Sequence, residues 1–205
     1  MNNKQWTFGI VTSGTKEGNI SKIIDSIESQ GIPDDCYEII VVGACTLKRK
    51  NLIQFDFDET IKPKAWITKK KNMIAQNAKF DNIVLLHDYI YFKEGWYEGY
   101  CNFTEDWDVC MNVILNANGK RFRDWTLWYP GPVDYDDNSR TNEMYISGAY
   151  FCIKKDYFLQ HPLDEKLIWG ESEDVEWSLS LRDTWNYKCN KHSTVHLLKR
   201  KGFTW

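Results

Sequence analysis

Two uninterrupted apolar runs, EIIVV at residues 38–42 and NIVLL at 82–86, constrain this chain more than any other feature. A strand with one solvated face alternates apolar and polar residues. A strand without that alternation is buried on both faces, as in a parallel sheet covered by helices. The run at 38–42 follows a β-rich stretch at 6–12, turn residues at 13–18, and a segment that Asn19 can cap. In that segment Ile20, Ile23, Ile24 and Ile27 fall on one helical face, and the helix is expected to end near Gly31. Strand, helix and strand in this order form the unit of a right-handed parallel crossover.

The pattern continues down the chain. Residues 44–64 read as irregular and charged, 67–79 as a helix with Lys69, Lys70, Lys71 and Asn72 at its front, 94–101 as another helix, and 109–115 as a fourth strand. Residues 116–140 are rich in Gly, Pro, Asp and Asn and read as a long loop. Residues 144–153 read as a strand containing Gly148, 173–183 as a helix, and 193–198 as a short last strand. No repeat or linker interrupts the 205 residues. The expected fold class is α/β: a single domain over 1–205 with a mostly parallel central sheet flanked by helices.

Composition narrows the function. Lys plus Arg number 26 against 29 for Asp plus Glu, a net charge of −3, so there is no chain-wide basic footprint and no nucleic-acid partner is expected. Aromatic residues make up 15%, which suits either a dense core or a groove that stacks on flat ligands such as bases and sugars. No stretch approaches the roughly 18 uncharged apolar residues of a membrane span, so no transmembrane segment is expected. The first six residues carry no apolar signal core, and the expected location is cytoplasmic. Six cysteines are scattered with no C-x-x-C pair and read as reduced, mostly buried thiols.

Ligands of open parallel sheets bind beyond the carboxyl ends of the strands. The positions of that kind are Thr12, Ser13 and Gly14 after the first strand, Gly43 after the second, and His87 and Asp88 after the third. Neither G-x-G-x-x-G nor G-x-x-x-x-G-K-[ST] occurs, so dinucleotide and P-loop readings lack their phosphate cradle. Asp88 is either a hard oxygen ligand suited to Mg²⁺ or Mn²⁺ or the cap of the next turn. Glu171, Glu173, Asp174 and Glu176 fall within six residues at a loop-to-helix junction. Acidic residues there favour the helix N-terminus, or they edge a pocket. His192 and His196 are core histidines or, with a distant Asp at a strand end, candidate metal ligands.

In this order the pieces resemble a GT-A fold (Rossmann-like) glycosyltransferase of the family-2-like inverting group, over residues 6–200. WTFGIVTSGT is similar to the opening strand and its Ser/Thr turn. Lys71-Asn72 is similar to the Arg-Asn pair before a helix. VLLHDYIYF resembles in part the metal-binding Asp-x-Asp and stands nearer its His-x-Asp variants. EIIVVGACT has Gly43 where the group carries the Asp that contacts the base. ISGAYFCIKKDYF resembles the strand under the donor sugar, WGESEDVEWSLSLR the Glu-Asp motif, and CNKHSTVHLLKR the terminal Ser-x-Val-x-His segment.

The resemblance implies a metal-dependent hexosyltransferase-type enzyme. It would move a sugar from a nucleoside-diphosphate donor, UDP-sugar favoured, to a hydroxyl of a glycan, lipid-linked or protein acceptor, with inversion. It implies Asp174 as catalytic base with Glu173 beside it, Asp88 and His196 as ligands of Mn²⁺ or Mg²⁺, and Thr12, Ser13, Gly14, Lys71, Asn72 and His87 at the nucleotide. Gly148, Ala149, Trp128, Trp169 and Gly170 would meet the donor or acceptor sugar, and the lysines of 69–71 and 199–201 the diphosphate. Residues 1–115 would form a nucleotide-binding half and 116–205 an acceptor and catalytic half. Two other readings stay open: a nucleotide-sugar or carbohydrate-binding protein of impaired activity, and a nucleotidyltransferase or nucleotide-sugar hydrolase on a similar sheet.

Overall fold

Both apolar runs are strands buried along their length. In the computed structural model, which describes residues 3–15, 17–61, 66–168 and 170–202, β1 (Trp6–Val11) lies between β2 (Tyr37–Val42) and β4 (Asn82–His87), all parallel. Val11 is opposite both Val42 and His87, so the three strands end level. Thr12, Gly43 and Asp88 therefore come off the sheet in one row.

The sheet has eight strands in the order β3-β2-β1-β4-β7-β6-β8-β5, with β3 at Leu52–Phe55, β5 at Ile90–Phe92, β6 at Val109–Leu115, β7 at Tyr150–Lys154 and β8 at Tyr187–Leu197. β5 and β7 run against the other six, which is the mostly parallel sheet that the sequence implies. β3 falls in the stretch read as irregular. It is a short edge strand with Ile53 and Gln54 exposed, so it lacks the apolar signature of a covered strand. Of the strand expected over 144–153, only the part from Tyr150 pairs regularly. β8 begins at Tyr187, well before the expected 193.

The helices follow the apolar spacing. α1 (Glu17–Glu28) buries Ile20, Ile23, Ile24 and Ile27 and packs near β5. α2 (Ile67–Asn77) lies on β1, β2 and β4, and Gly9 of β1 leaves room for Ile74 where a Cβ would collide with it. α3 (Trp96–Asn102) packs on β8, and α4 (Lys155–Gln160) follows β7. α5 (Glu173–Leu181) is anchored by Trp177, whose ring lies 5.9 Å from Phe151 and 6.0 Å from Phe158. Its acidic N-terminus is thus fixed by core packing at its other turns.

Much of the aromatic surplus is core. Trp96 lies 5.0 Å from Trp6, 5.5 Å from Phe8, 5.0 Å from Phe92 and 4.7 Å from Tyr100. Several polar tips of this cluster are satisfied within it, while Trp6 Nε1 is buried without a partner. Trp96 Nε1 donates to the Tyr150 hydroxyl at 2.9 Å, and Tyr150 donates to Asn112 Oδ1 at 2.5 Å. All six cysteines are free thiols, four of them buried. Among the described residues no helix is long and apolar enough to cross a membrane.

Candidate active site

The row of residues beyond β1, β2 and β4 opens into a cleft with two lobes. Thr12 organises the first. Its hydroxyl donates to Asp88 Oδ2 at 2.9 Å and accepts from Gly14 N–H at 3.0 Å, which closes the turn after β1. Lys70 is buried beside it, donating to the Thr12 carbonyl at 2.7 Å and pairing with Glu59. Gly43, at φ 121°, presses against the Thr12 carbonyl, and no side chain fits there. Thr12, Ser13, Lys70, Asp88, Lys199 and Lys201 line this lobe, a space of about 210 Å³.

The second lobe is about 450 Å³. Gly148, Ala149, Gly170 and Trp128, the residues that the resemblance assigns to a sugar, line it together with Glu173 and Asp174. Trp169 lies outside the described residues. Gly148 N–H donates to Asp174 Oδ2 at 2.8 Å, and Val175 N–H donates to Asp174 Oδ1 at 3.0 Å. The carboxylate is therefore fixed in orientation. Lys71, 1% exposed, donates to the Gly148 carbonyl at 2.6 Å from beneath. Burial lowers the pKa of Lys71, and the charges of Glu173 and Asp174 offset part of that. Burial likewise raises the pKa of Glu173, against the opposing pull of Lys71 and with the help of Asp174.

His87, Tyr89 and Lys201 line both lobes and join them. His87 Nε2 is enclosed without a hydrogen-bond partner. Burial, then the charges of Lys71, Lys201 and Lys199, push the His87 pKa well below its ordinary value, so the ring is neutral at pH 7. Lys199 and Lys201 sit over the Tyr89 ring at 4.3 and 4.6 Å from its centre.

Gly14, Lys71, Asn72 and His196, which the resemblance assigns to the site, line neither lobe. Asn72 uses its side-chain amide within the fold, donating to the Leu163 carbonyl at 2.9 Å and accepting from Leu163 N–H at 3.1 Å. His196 stands opposite Tyr91 of β5, its ring 5.6 Å from that of Tyr91, and it lines neither lobe. Its neighbours Val195 and Leu197 are core, so strand alternation turns His196 to the other face, where burial and the charge of Lys93 lower its pKa.

The lobe that holds Asp88 does not fit a divalent cation. Among its described lining residues Asp88 is the one carboxylate, and it shares its lobe with three ammonium groups, Lys70, Lys199 and Lys201. Mg²⁺ and Mn²⁺ take several oxygen ligands and repel ammonium. Among the described residues no cluster of three or more His, Cys, Asp or Glu is arranged to hold a metal ion.

Sequence reading missed Arg123, Ser172 and Tyr89 as lining groups. Arg123 and Ser172, at φ 41° and 60°, are the non-glycine residues with positive φ among those described, and both line the second lobe. Backbone held in such conformations clusters at functional sites, and nothing in composition or periodicity marks it.

No family model and no curated protein sequence matches the chain. Solved structures do. The crystal structure of S. aureus TarS 1-349 superposes with a TM-score of 0.69 at 14% identity, covering 94% of this chain and 60% of that one. GalNAc-T7, solved with UDP, GalNAc and Mn²⁺, gives 0.70 at 15% identity, covering 98% and 45%. TarS 1-349 in complex with UDP-GlcNAc gives 0.68 at 15%, covering 97% and 60%. This chain thus spans about half the length of the chains it matches. The likeness and the sheet order show the fold: the chain adopts the GT-A fold.

Proposed function

We propose that this protein is a glycosyltransferase that moves a sugar from a nucleoside-diphosphate donor to an acceptor hydroxyl with inversion. The observation that carries the reading is the division of the cleft. One lobe presents Lys70, Lys199 and Lys201 beside Thr12 and Ser13, and the other presents Glu173 and Asp174 over Gly148 and Ala149. A sugar nucleotide has the same two parts, a charged diphosphate and a neutral sugar. Structural neighbours solved with UDP and with UDP-GlcNAc support a uridine donor. GalNAc-T7 was solved with Mn²⁺ as well, but in this chain Lys70, Lys199 and Lys201 share the lobe with Asp88, and no step below passes through a metal.

The acceptor hydroxyl enters the second lobe, and Asp174 accepts its proton as the oxygen attacks the anomeric carbon. The bond from that carbon to the diphosphate breaks on the opposite face, and its electron pair leaves with the diphosphate oxygen. Glu173 stands beside the base, and Lys71 balances the pair from below. Residues 1–115 supply most of the nucleotide lobe and 116–205 the carboxylates, with Lys199 and Lys201 reaching back across.

The test is transfer from UDP-sugars to a panel of glycan, lipid-linked and peptide acceptors, with anomeric configuration read by NMR. Asp174→Asn is expected to lose about a hundredfold or more in kcat. Full activity in that variant overturns the base assignment, and a retained anomeric configuration overturns the single displacement. A second reading rests on the raised Glu173 pKa: if Glu173→Gln alone is inactive, Glu173 is the base.

A further inference from the structure

The cationic lobe has a consequence for how the leaving group is stabilised. As the sugar–phosphate bond breaks, negative charge builds on the departing diphosphate, and a transferase must neutralise it. The GT-A neighbour GalNAc-T7 was solved with Mn²⁺ beside UDP. Here the corresponding charge can come from side chains. Lys199 and Lys201 follow β8 and lie over one ring, that of Tyr89, within 4.6 Å of its centre. Lys201 lines both lobes, so it stands where the diphosphate would join the sugar. Asp88, the carboxylate of that lobe, is held by the Thr12 hydroxyl, and Lys70 is held by Glu59 and the Thr12 carbonyl. His87, enclosed between the lobes with an unpartnered Nε2, supplies a neutral hydrogen-bonding group at the same junction.

We propose that Lys199 and Lys201, set by the Tyr89 ring, bind and neutralise the diphosphate in place of a divalent cation, so that donor binding and transfer proceed without metal. This rests on the sugar-transfer reading above and deepens it. The bonds made and broken are those of that reading. What changes is the source of positive charge at the leaving oxygens: two ammonium groups, which donate hydrogen bonds to phosphate oxygens as well as charge.

The experiment is calorimetric titration of EDTA-treated protein with UDP, inorganic pyrophosphate and uridine, repeated with Mn²⁺. UDP and pyrophosphate are expected to bind in EDTA, with Mn²⁺ tightening either by no more than about twofold. Lys199→Gln and Lys201→Gln are each expected to weaken UDP and pyrophosphate by about tenfold and to leave uridine unchanged, with Lys→Arg restoring most of the loss. Thermal unfolding of each variant confirms that it folds. Binding of UDP only with Mn²⁺, or unchanged binding in both Gln variants, overturns the proposal and leaves the sugar-transfer reading standing. Metal-free pyrophosphate binding through the two lysines, with no nucleoside diphosphate binding tighter, keeps the anion site and overturns the sugar-transfer reading. No binding of any probe in either buffer overturns both.

Discussion

Lys71 and Asp174 hold the same residue from opposite sides. The Gly148 carbonyl accepts from Lys71 Nζ at 2.6 Å, and the Gly148 N–H donates to Asp174 Oδ2 at 2.8 Å. A buried cation and a cleft carboxylate are thereby locked to one stretch of backbone just before β7. The arrangement fixes the orientation of the carboxylate, and it keeps the Lys71 ammonium buried on the other side of the same residue.

Gly148 is the joint of that arrangement, and it has no space for a side chain. A Cβ there would lie 2.8 Å from Asp174 Oδ2 and 3.0 Å from its Cβ and Cγ. Gly148→Ala must push the carboxylate aside. We expect a loss of about 1–3 kcal/mol in stability from the overpacking. We also expect a fall in kcat of about a hundredfold from the displaced base. Denaturant unfolding and steady-state kinetics on one preparation check both, and wild-type kcat in the variant would show that Asp174 does not act as the base.

Lys71→Met keeps the volume and removes the charge. The Lys71 charge lowers the Glu173 pKa, so its removal lets that value rise further above the ordinary carboxylate range. An acid limb of the rate profile that depends on Glu173 is expected to move to higher pH in Lys71→Met. Loss of the hydrogen bond to the buried Gly148 carbonyl is also expected to cost about 1–3 kcal/mol in stability. A limb that stays in place would mean that Glu173 does not report on the reaction.

His87 gives a dependence of stability on pH with a definite sign. Its folded pKa lies well below the ordinary histidine value of 6.5, so the unfolded chain binds more protons in that range. Stability is then complete above pH 6.5 and falls as pH drops towards the folded value. Urea unfolding between about pH 7.5 and 5 should show this slope in wild type and a flatter one in His87→Asn. Equal slopes would show that the ring protonates without cost in the folded state.

The sequence makes legible whatever depends on local periodicity. β2, β4 and β6 stand where their apolar runs place them, and α1 carries its isoleucine stripe as spaced. What it hides is parity and edges. β3 and β5 are short and sit at the two edges of the sheet, so neither has the length of apolar pattern that marks a covered strand. His196 shows the parity problem. The β6–β8 register jumps from Asn112 opposite Asn190 to Val113 opposite Thr194, which inserts three residues, 191–193. An odd insertion reverses which face every later residue takes, so a motif match cannot say where His196 points. Asn72 shows a different limit: its spacing fits a motif, while its amide is committed to the segment at Leu163.

Trp128 is 73% exposed, second among the described large hydrophobic side chains to Tyr129 at 84%, and it borders the lobe that holds Glu173 and Asp174. Its ring lies 6.0 Å from that of Tyr145, which steadies one edge and leaves the rest open to solvent. An aromatic face so placed costs little in the fold and can stack on the apolar face of a sugar. Trp128→Ala is therefore expected to change stability by less than about 0.5 kcal/mol. The acceptor KM should rise by about tenfold with kcat nearly unchanged, the pattern of lost ground-state binding. If KM for the donor rises instead, the ring belongs to the donor sugar, and if neither parameter moves, the open face of Trp128 takes no part in binding substrate.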